Sequence, residues 1–134
     1  MGHRKAAVIP YRIRKKQVEV ALVTTSGGKG WVVPKGSVDR GEHVRDAAIR
    51  EAEEEAGLLG VLSRKPLGRY VHVNGEGSCP VDVYMMRVTK ELEHWLEDRF
   101  RRRRWMPAPA AADCLRKELR QFVRAVERIA APAS

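Results

Sequence analysis

Residues 36–58, GSVDRGEHVRDAAIREAEEEAGL, decide the fold. From Glu42 to Ala56 the chain holds neither Pro nor Gly and is dominated by Ala, Glu and Arg, and Gly57 follows at once. This composition predicts a helix over 42–56 closed by a glycine C-cap. On such a helix Glu51, Glu54 and Glu55 share one face while Glu53 points to roughly the opposite side. Val44, Ala48, Ala52 and Ala56 form a neighbouring stripe of small apolar residues, which lets the helix approach a sheet closely with the carboxylates at the edge of the contact. Like charges at these spacings repel, so the face needs either bulk water or a cation. An oxygen-only ligand set of this kind suits Mg²⁺ or Mn²⁺ and not zinc. A solvated acidic helix would also produce a run such as EAEEE, and the run by itself leaves both readings open.

The rest of the chain is read outward from that helix. It has 134 residues, 26 Lys+Arg against 17 Asp+Glu, and a net charge of +9. That length predicts one domain over 1–134, able to bury about 68% of the surface it exposes when unfolded. No apolar stretch approaches the roughly 20 residues of a membrane span. The first ten residues place basic side chains before an apolar run too short for a signal sequence, so the expected compartment is the cytoplasm. Cys79 and Cys114 show no metal or redox spacing and read as ordinary reduced thiols. The charge is segregated. Residues 1–41 hold nine basic and two acidic side chains, 42–98 hold seven and twelve, and 99–134 hold ten and three. Such ends imply either solvated faces or an anionic partner: nucleic acid, a membrane surface or a phosphate-rich small molecule.

Val-, Ile- and Ala-rich runs over Lys5 to Ile13 and Val18 to Thr25, around Arg14-Lys15-Lys16-Gln17, predict a hairpin. Ser26 to Gly30 is a loop, Trp31-Val32-Val33 a short apolar run ended by Pro34, and Val61 to Val73 and Val81 to Thr89 read as strands joined by a turn over 74–78. Arg101 to Met106 is a further short strand and Ala110 to Ala130 a helix, in one or two pieces. The order is α/β.

Position by position, 36–58 follows the pattern Gly, five residues, Glu, seven residues, Arg-Glu, aliphatic, any, Glu-Glu, any, Gly, aliphatic. The matching residues are Gly36, Glu42, Arg50, Glu51, Ala52, Glu54, Glu55, Gly57 and Leu58. Seven identities at average residue usage give a chance match on the order of one in a billion per starting position. The segment thus resembles the Nudix box, with Ala52 smaller than the usual aliphatic. The resemblance implies a Nudix α/β/α sandwich with a mixed central β-sheet, and hydrolysis of a phosphoanhydride bond with Mg²⁺ or Mn²⁺. It implies Glu51 and Glu55 as the principal metal ligands, with Glu54 beside them and a main-chain carbonyl near Lys35 or Gly36. It also implies Glu54 as general base and Arg50 as an orienting group paired with Glu42 or a catalytic glutamate. Gly36 allows close approach of the loop backbone, and Gly57 ends the helix in the left-handed conformation.

Flanking segments bear on the substrate. Arg4-Lys5-Ala6, Thr24-Thr25-Ser26, Trp31-Val32-Val33-Pro34 and Arg101-Arg102-Arg103-Arg104-Trp105 resemble basic and hydroxyl-bearing segments of the diphosphoinositol polyphosphate phosphohydrolases. In a strand, Arg101 and Arg103 share a face. The expected substrate-binding residues are therefore Arg4, Lys5, Ala6, Thr25, Ser26, Lys35, Arg101 and Arg103. Pro34-Lys35-Gly36 departs from the Pro-Gly-Gly of that group and resembles diadenosine polyphosphate hydrolases, in which case Tyr70, Tyr84, Trp95 and Trp105 are candidates for stacking on adenine. His3, His43, His72 and His94 lack metal spacing. The expected partner is a polyphosphate-containing small molecule, with no membrane. Nucleic acid stays as an alternative, either as an RNA 5′-end substrate beside nucleoside triphosphates or as the ligand of a non-catalytic Nudix module. The sequence does not read out an oligomeric state.

Overall fold

The computed structural model describes residues 3–132. Strands β1 (Lys5–Arg14) and β2 (Gln17–Thr24) form the expected hairpin, turned by Lys15 and Lys16 alone. Both lysines have positive φ, 52° and 65°. They are followed by β3 (Trp31–Val32), β4 (Lys35–Ser37), helix α1 (Val44–Ala56), β5 (Leu58–Leu62), β6 (Gly68–Asn74), β7 (Gly77–Glu91), β8 (Arg103–Pro107), α2 (Ala108–Cys114) and α3 (Lys117–Ala130). The strands make one mixed sheet whose main path runs β3-β2-β1-β7-β5, with β4 added to β1, β6 to β7 and β8 to β2. Only the β1–β7 pairing is parallel among those described.

Period-2 alternation along the central strands feeds two cores. Ala6, Val8, Tyr84 and Met86 point to one face, where Ala47, Ala48 and Ala52 of α1 cover them. Ala7, Ile9, Val81 and Val83 point to the other, under Leu119, Phe122, Val123 and Val126 of α3. The small-residue stripe of α1 thus seats the helix directly on the sheet, and the architecture is an α/β sandwich with a mixed sheet.

Three expectations change. The helix starts at Val44 because the backbone of Glu42 closes a turn on Asp39 (2.9 Å) and His43 is extended. The predicted strand over 61–73 is two strands separated by residues 63–67, with Pro66 breaking the ladder where the chain crosses to a new register on β7. The three-residue β4 has no sequence signature and is defined by its pairing with Lys5, Ala6 and Ala7.

Candidate active site

Strand β4 lies across the last turns of α1, and this is how one short stretch of sequence folds onto itself. A Cβ on Gly36 would collide with the Glu51 carboxyl group, so the backbone reaches the helix there only because the residue is glycine. Glu51 and Glu55 are one turn apart, and both are less than a tenth exposed. Glu54 is half-buried at the edge, and Glu53 faces solvent. The Lys35 main-chain amide donates to Glu55 Oε1 at 3.1 Å. Burial and, after it, the neighbouring Glu51 carboxyl push Glu55 up to about 8, against the pull of that amide.

Arg50 joins the remaining carboxylates. Its Nε donates to Glu42 Oε2 (3.0 Å) and its Nη2 to Glu42 Oε1 (3.0 Å), a bidentate pair, while Nη2 also reaches the Ser37 carbonyl (2.9 Å). Its Nη1 donates to Glu51 Oε2 at 2.7 Å and to Glu54 Oε1 at 3.4 Å. Glu42 accepts in addition from the Asp39 amide, and the two sets of donors, Arg50 foremost, hold its carboxyl down at about 2. Arg50 is thereby raised further above its ordinary value, chiefly by Glu42.

Two buried carboxyl groups, a third at their edge and the main chain of Lys35 and Gly36 at hand make an all-oxygen set. That chemistry fits a hard divalent cation. Among the described residues no three His, Cys, Asp or Glu side chains are gathered as a metal cluster, and Glu51 and Glu54 both turn an oxygen to Arg50 Nη1. A cation at this place competes with Arg50 for the same oxygens.

The other residues expected from the sequence divide into those near this centre and those turned elsewhere. Lys35 stands beside Lys5 and Arg116, and burial followed by these two cations lowers its pKa. Arg101 donates to the Thr24 carbonyl (2.9 Å) and to Glu97 (2.8 Å), and its Nη2 lies 3.9 Å from Glu55 Oε2. Ser26 borders a groove with Thr24, Arg101 and Arg102, whereas Thr25 turns its Oγ1 to the loop, where it accepts from the Lys29 amide. Arg4 is turned to Asp82 (2.8 Å), which Arg69 also binds (2.6 Å). Ala6 is fully buried in register with Gly36. Arg103 faces the end of α1, where its Nη1 donates to the carbonyls of Ala56 (2.7 Å) and Gly57 (3.3 Å).

Of the aromatic candidates, Tyr84 is buried, Trp105 lies under Arg12 and Trp95 under Arg103. Tyr70 instead lines a slot with Trp31, His72, Lys35, Arg116 and Leu119. Sequence reasoning missed Trp31 and His72 as slot residues and Glu97 as a neighbour of the acidic centre. Spacing carries no signal for them, since each comes from a different element.

The NUDIX domain profile matches residues 1–126. The chain is 34% identical over 138 residues to Nudix hydrolase 4 of Arabidopsis thaliana, covering 91% of this chain and 66% of that protein. It is 34% identical over 145 residues to the same plant's mitochondrial Nudix hydrolase 12, covering 89% and 71%. It thus spans about two thirds of the length of these relatives. The structure superposes on that of C. elegans Ap4A hydrolase with a TM-score of 0.81, at 21% identity and over 98% of this chain and 100% of the other. No helix among the described residues is long and apolar enough to cross a membrane.

Proposed function

The chain belongs to the Nudix hydrolase family, whose members cleave phosphoanhydride bonds, and from this we propose that it is a divalent-metal-dependent pyrophosphohydrolase of diadenosine polyphosphates. The observation that carries the chemistry is the buried Glu51–Glu55 pair with Glu54 at its rim. Glu51, Glu55 and Glu54, with the main chain at Lys35 and Gly36, would hold Mg²⁺ or Mn²⁺, which when bound would supply positive charge to the anionic pyrophosphate. Glu54, the least buried of the three, takes the proton of the attacking water. The water oxygen bonds to phosphorus, the P–O anhydride bond breaks, and the leaving phosphate departs with the bridging oxygen. Arg50, fixed by both oxygens of Glu42, orients Glu51 and Glu54. Lys35 and Arg101, on either side of Glu55, provide cations for the phosphate chain.

The slot favours a nucleotide end. Trp31 and Tyr70 offer aromatic surface beside Lys35 and Arg116, a pairing of ring and cation that suits a base joined to phosphates. The C. elegans structure is named for hydrolysis of such a compound, and its likeness supports the same fold carrying a similar substrate. Diphosphoinositol polyphosphates are the second reading, favoured by the groove in which Lys29 lies with Arg102, Arg103 and Arg104, a cluster of cations suited to a densely phosphorylated ligand.

The test is phosphate release from diadenosine polyphosphates, diphosphoinositol polyphosphates, nucleoside triphosphates and 5′-triphosphorylated RNA, with and without Mg²⁺. Metal-dependent turnover highest on diadenosine polyphosphates is the expected result, with Glu54→Gln lowering kcat about 10³-fold or more in a folded protein. Absence of metal-dependent turnover on every compound, or salt-sensitive RNA binding without cleavage, overturns the assignment.

A further inference from the structure

The last four carbonyls of a helix have no partner within it. In α1 these belong to Glu53, Glu54, Glu55 and Ala56, and every one is occupied from outside. Gly57, in the left-handed conformation (φ 65°), donates its amide to Glu53 at 2.9 Å. The Glu97 amide donates to the Glu54 carbonyl (3.0 Å), Trp95 Nε1 to the Glu55 carbonyl (2.9 Å) and Arg103 Nη1 to the Ala56 carbonyl (2.7 Å). Three of the four donors come from residues 95–103, about forty positions along the chain. The same segment is tied down by the Leu92 amide on the Gly57 carbonyl (2.8 Å) and by Arg103 Nη2 on the Leu92 carbonyl (3.0 Å). The Arg103 guanidinium lies over the Trp95 ring at 4.5 Å, and a Cβ at Gly57 would strike both side chains.

Ordinary helix ends are satisfied by water or one glycine motif. This one is closed donor by donor, including at Glu54 and Glu55, two of the three residues whose side chains form the acidic centre. The last turn of α1 holds no basic residue of its own, so Arg103 brings the positive charge that the negative end of the helix dipole favours. We propose that Trp95 and Arg103 are positioning residues that fix the main chain of the last turn of α1 and thereby the placement of the Glu54 and Glu55 carboxylates. This rests on the assignment of those glutamates as cation ligand and base.

Mn²⁺ binding is measured by calorimetry, at a temperature where circular dichroism shows each protein folded, for the wild type, Trp95→Phe, Arg103→Ala, Arg103→Lys and Val126→Ala. kcat and KM are measured in parallel at saturating metal. Trp95→Phe keeps a six-membered aromatic ring but removes the pyrrole ring together with the donor to Glu55. It and Arg103→Ala are expected to bind Mn²⁺ about 10-fold more weakly, with kcat reduced and KM little changed. Arg103→Lys recovers part of both losses. Val126→Ala, in the opposite core, lowers Tm without moving either quantity. Wild-type Mn²⁺ affinity in Trp95→Phe and in whichever Arg103 variants fold overturns the proposal even if their Tm falls, because the segment is then a stabilising cap only. A wild type that binds no Mn²⁺ overturns the functional assignment itself, and the positioning role with it.

Discussion

Arg50 divides one guanidinium among Glu42, Glu51 and Glu54, and Glu55 is left outside that arrangement. Its compensation is a single amide and the more distant Arg101 at 3.9 Å, which is why burial wins and the group holds its proton to about 8. The sign of the pH dependence follows. In the unfolded chain Glu55 ionises near its ordinary 4.5. The folded protein binds that proton more tightly, so the stabilising contribution is complete below that value and is lost as the pH rises toward 8. Glu55→Gln keeps the hydrogen-bonding shape and removes the titration. In chelator, its Tm should exceed the wild-type value by a margin that grows by about 3 °C or more between pH 5 and pH 8. Added Mg²⁺ should close the gap by stabilising the wild type alone. Scanning calorimetry measures both, and a margin independent of pH would rule out Glu55 as the titrating group.

The elements differ in how openly the sequence announces them. Helix α1, its glycine end and the inward and outward glutamates were legible because the helical period and the residue types agree over more than three turns. The β1–β2 hairpin was legible from its apolar runs, although its turn chemistry contradicts them. Lys15 and Lys16 both adopt positive φ, the geometry of a two-residue loop that favours Asn-Gly. Replacing Lys15-Lys16 by Asn-Gly should therefore raise stability by about 1 kcal/mol, read as a higher denaturation midpoint with an unchanged m-value. A lower midpoint would mean that the lysines do more than form the turn. The parts that escaped the sequence depend on partners far along the chain. Strand β4 exists through its register with β1, and Arg103 and Trp95 carry basic and aromatic labels that say nothing of a helix end forty residues away. In sequence, strand alternation puts Arg101 and Arg103 together on one substrate-facing surface. The fold splits it, sending Arg101 toward Glu55, Arg103 to α1, and Arg102 and Arg104 outward.

For the whole molecule, the segregated charge becomes a matter of topology. The basic N-terminal segment enters on β1, the central strand paired with β4, and brings Lys5 next to Lys35. The basic C-terminal segment returns along β2 and brings Arg101 to the far side of the acidic helix end. The two ends of the chain thus flank the carboxylates they are separated from in sequence, and a polyphosphate meets cations on both sides. These half-buried cations still act on an approaching polyphosphate through water, where their field is screened over about 8 Å at physiological salt, whereas the Glu51–Glu55 pair is buried. Raising salt from 50 to 200 mM should then increase KM for a diadenosine polyphosphate roughly threefold or more while leaving kcat nearly constant. Lys35→Gln should raise KM and flatten the salt dependence, because it removes one of the screened charges. Arg128→Gln, on an exposed turn of α3, should leave both at wild-type values. Steady-state kinetics across the salt series distinguishes the outcomes. If kcat falls with salt while KM stays level, the flanking cations act on the chemical step and not on capture of the substrate, and the charge of the two chain ends needs another explanation.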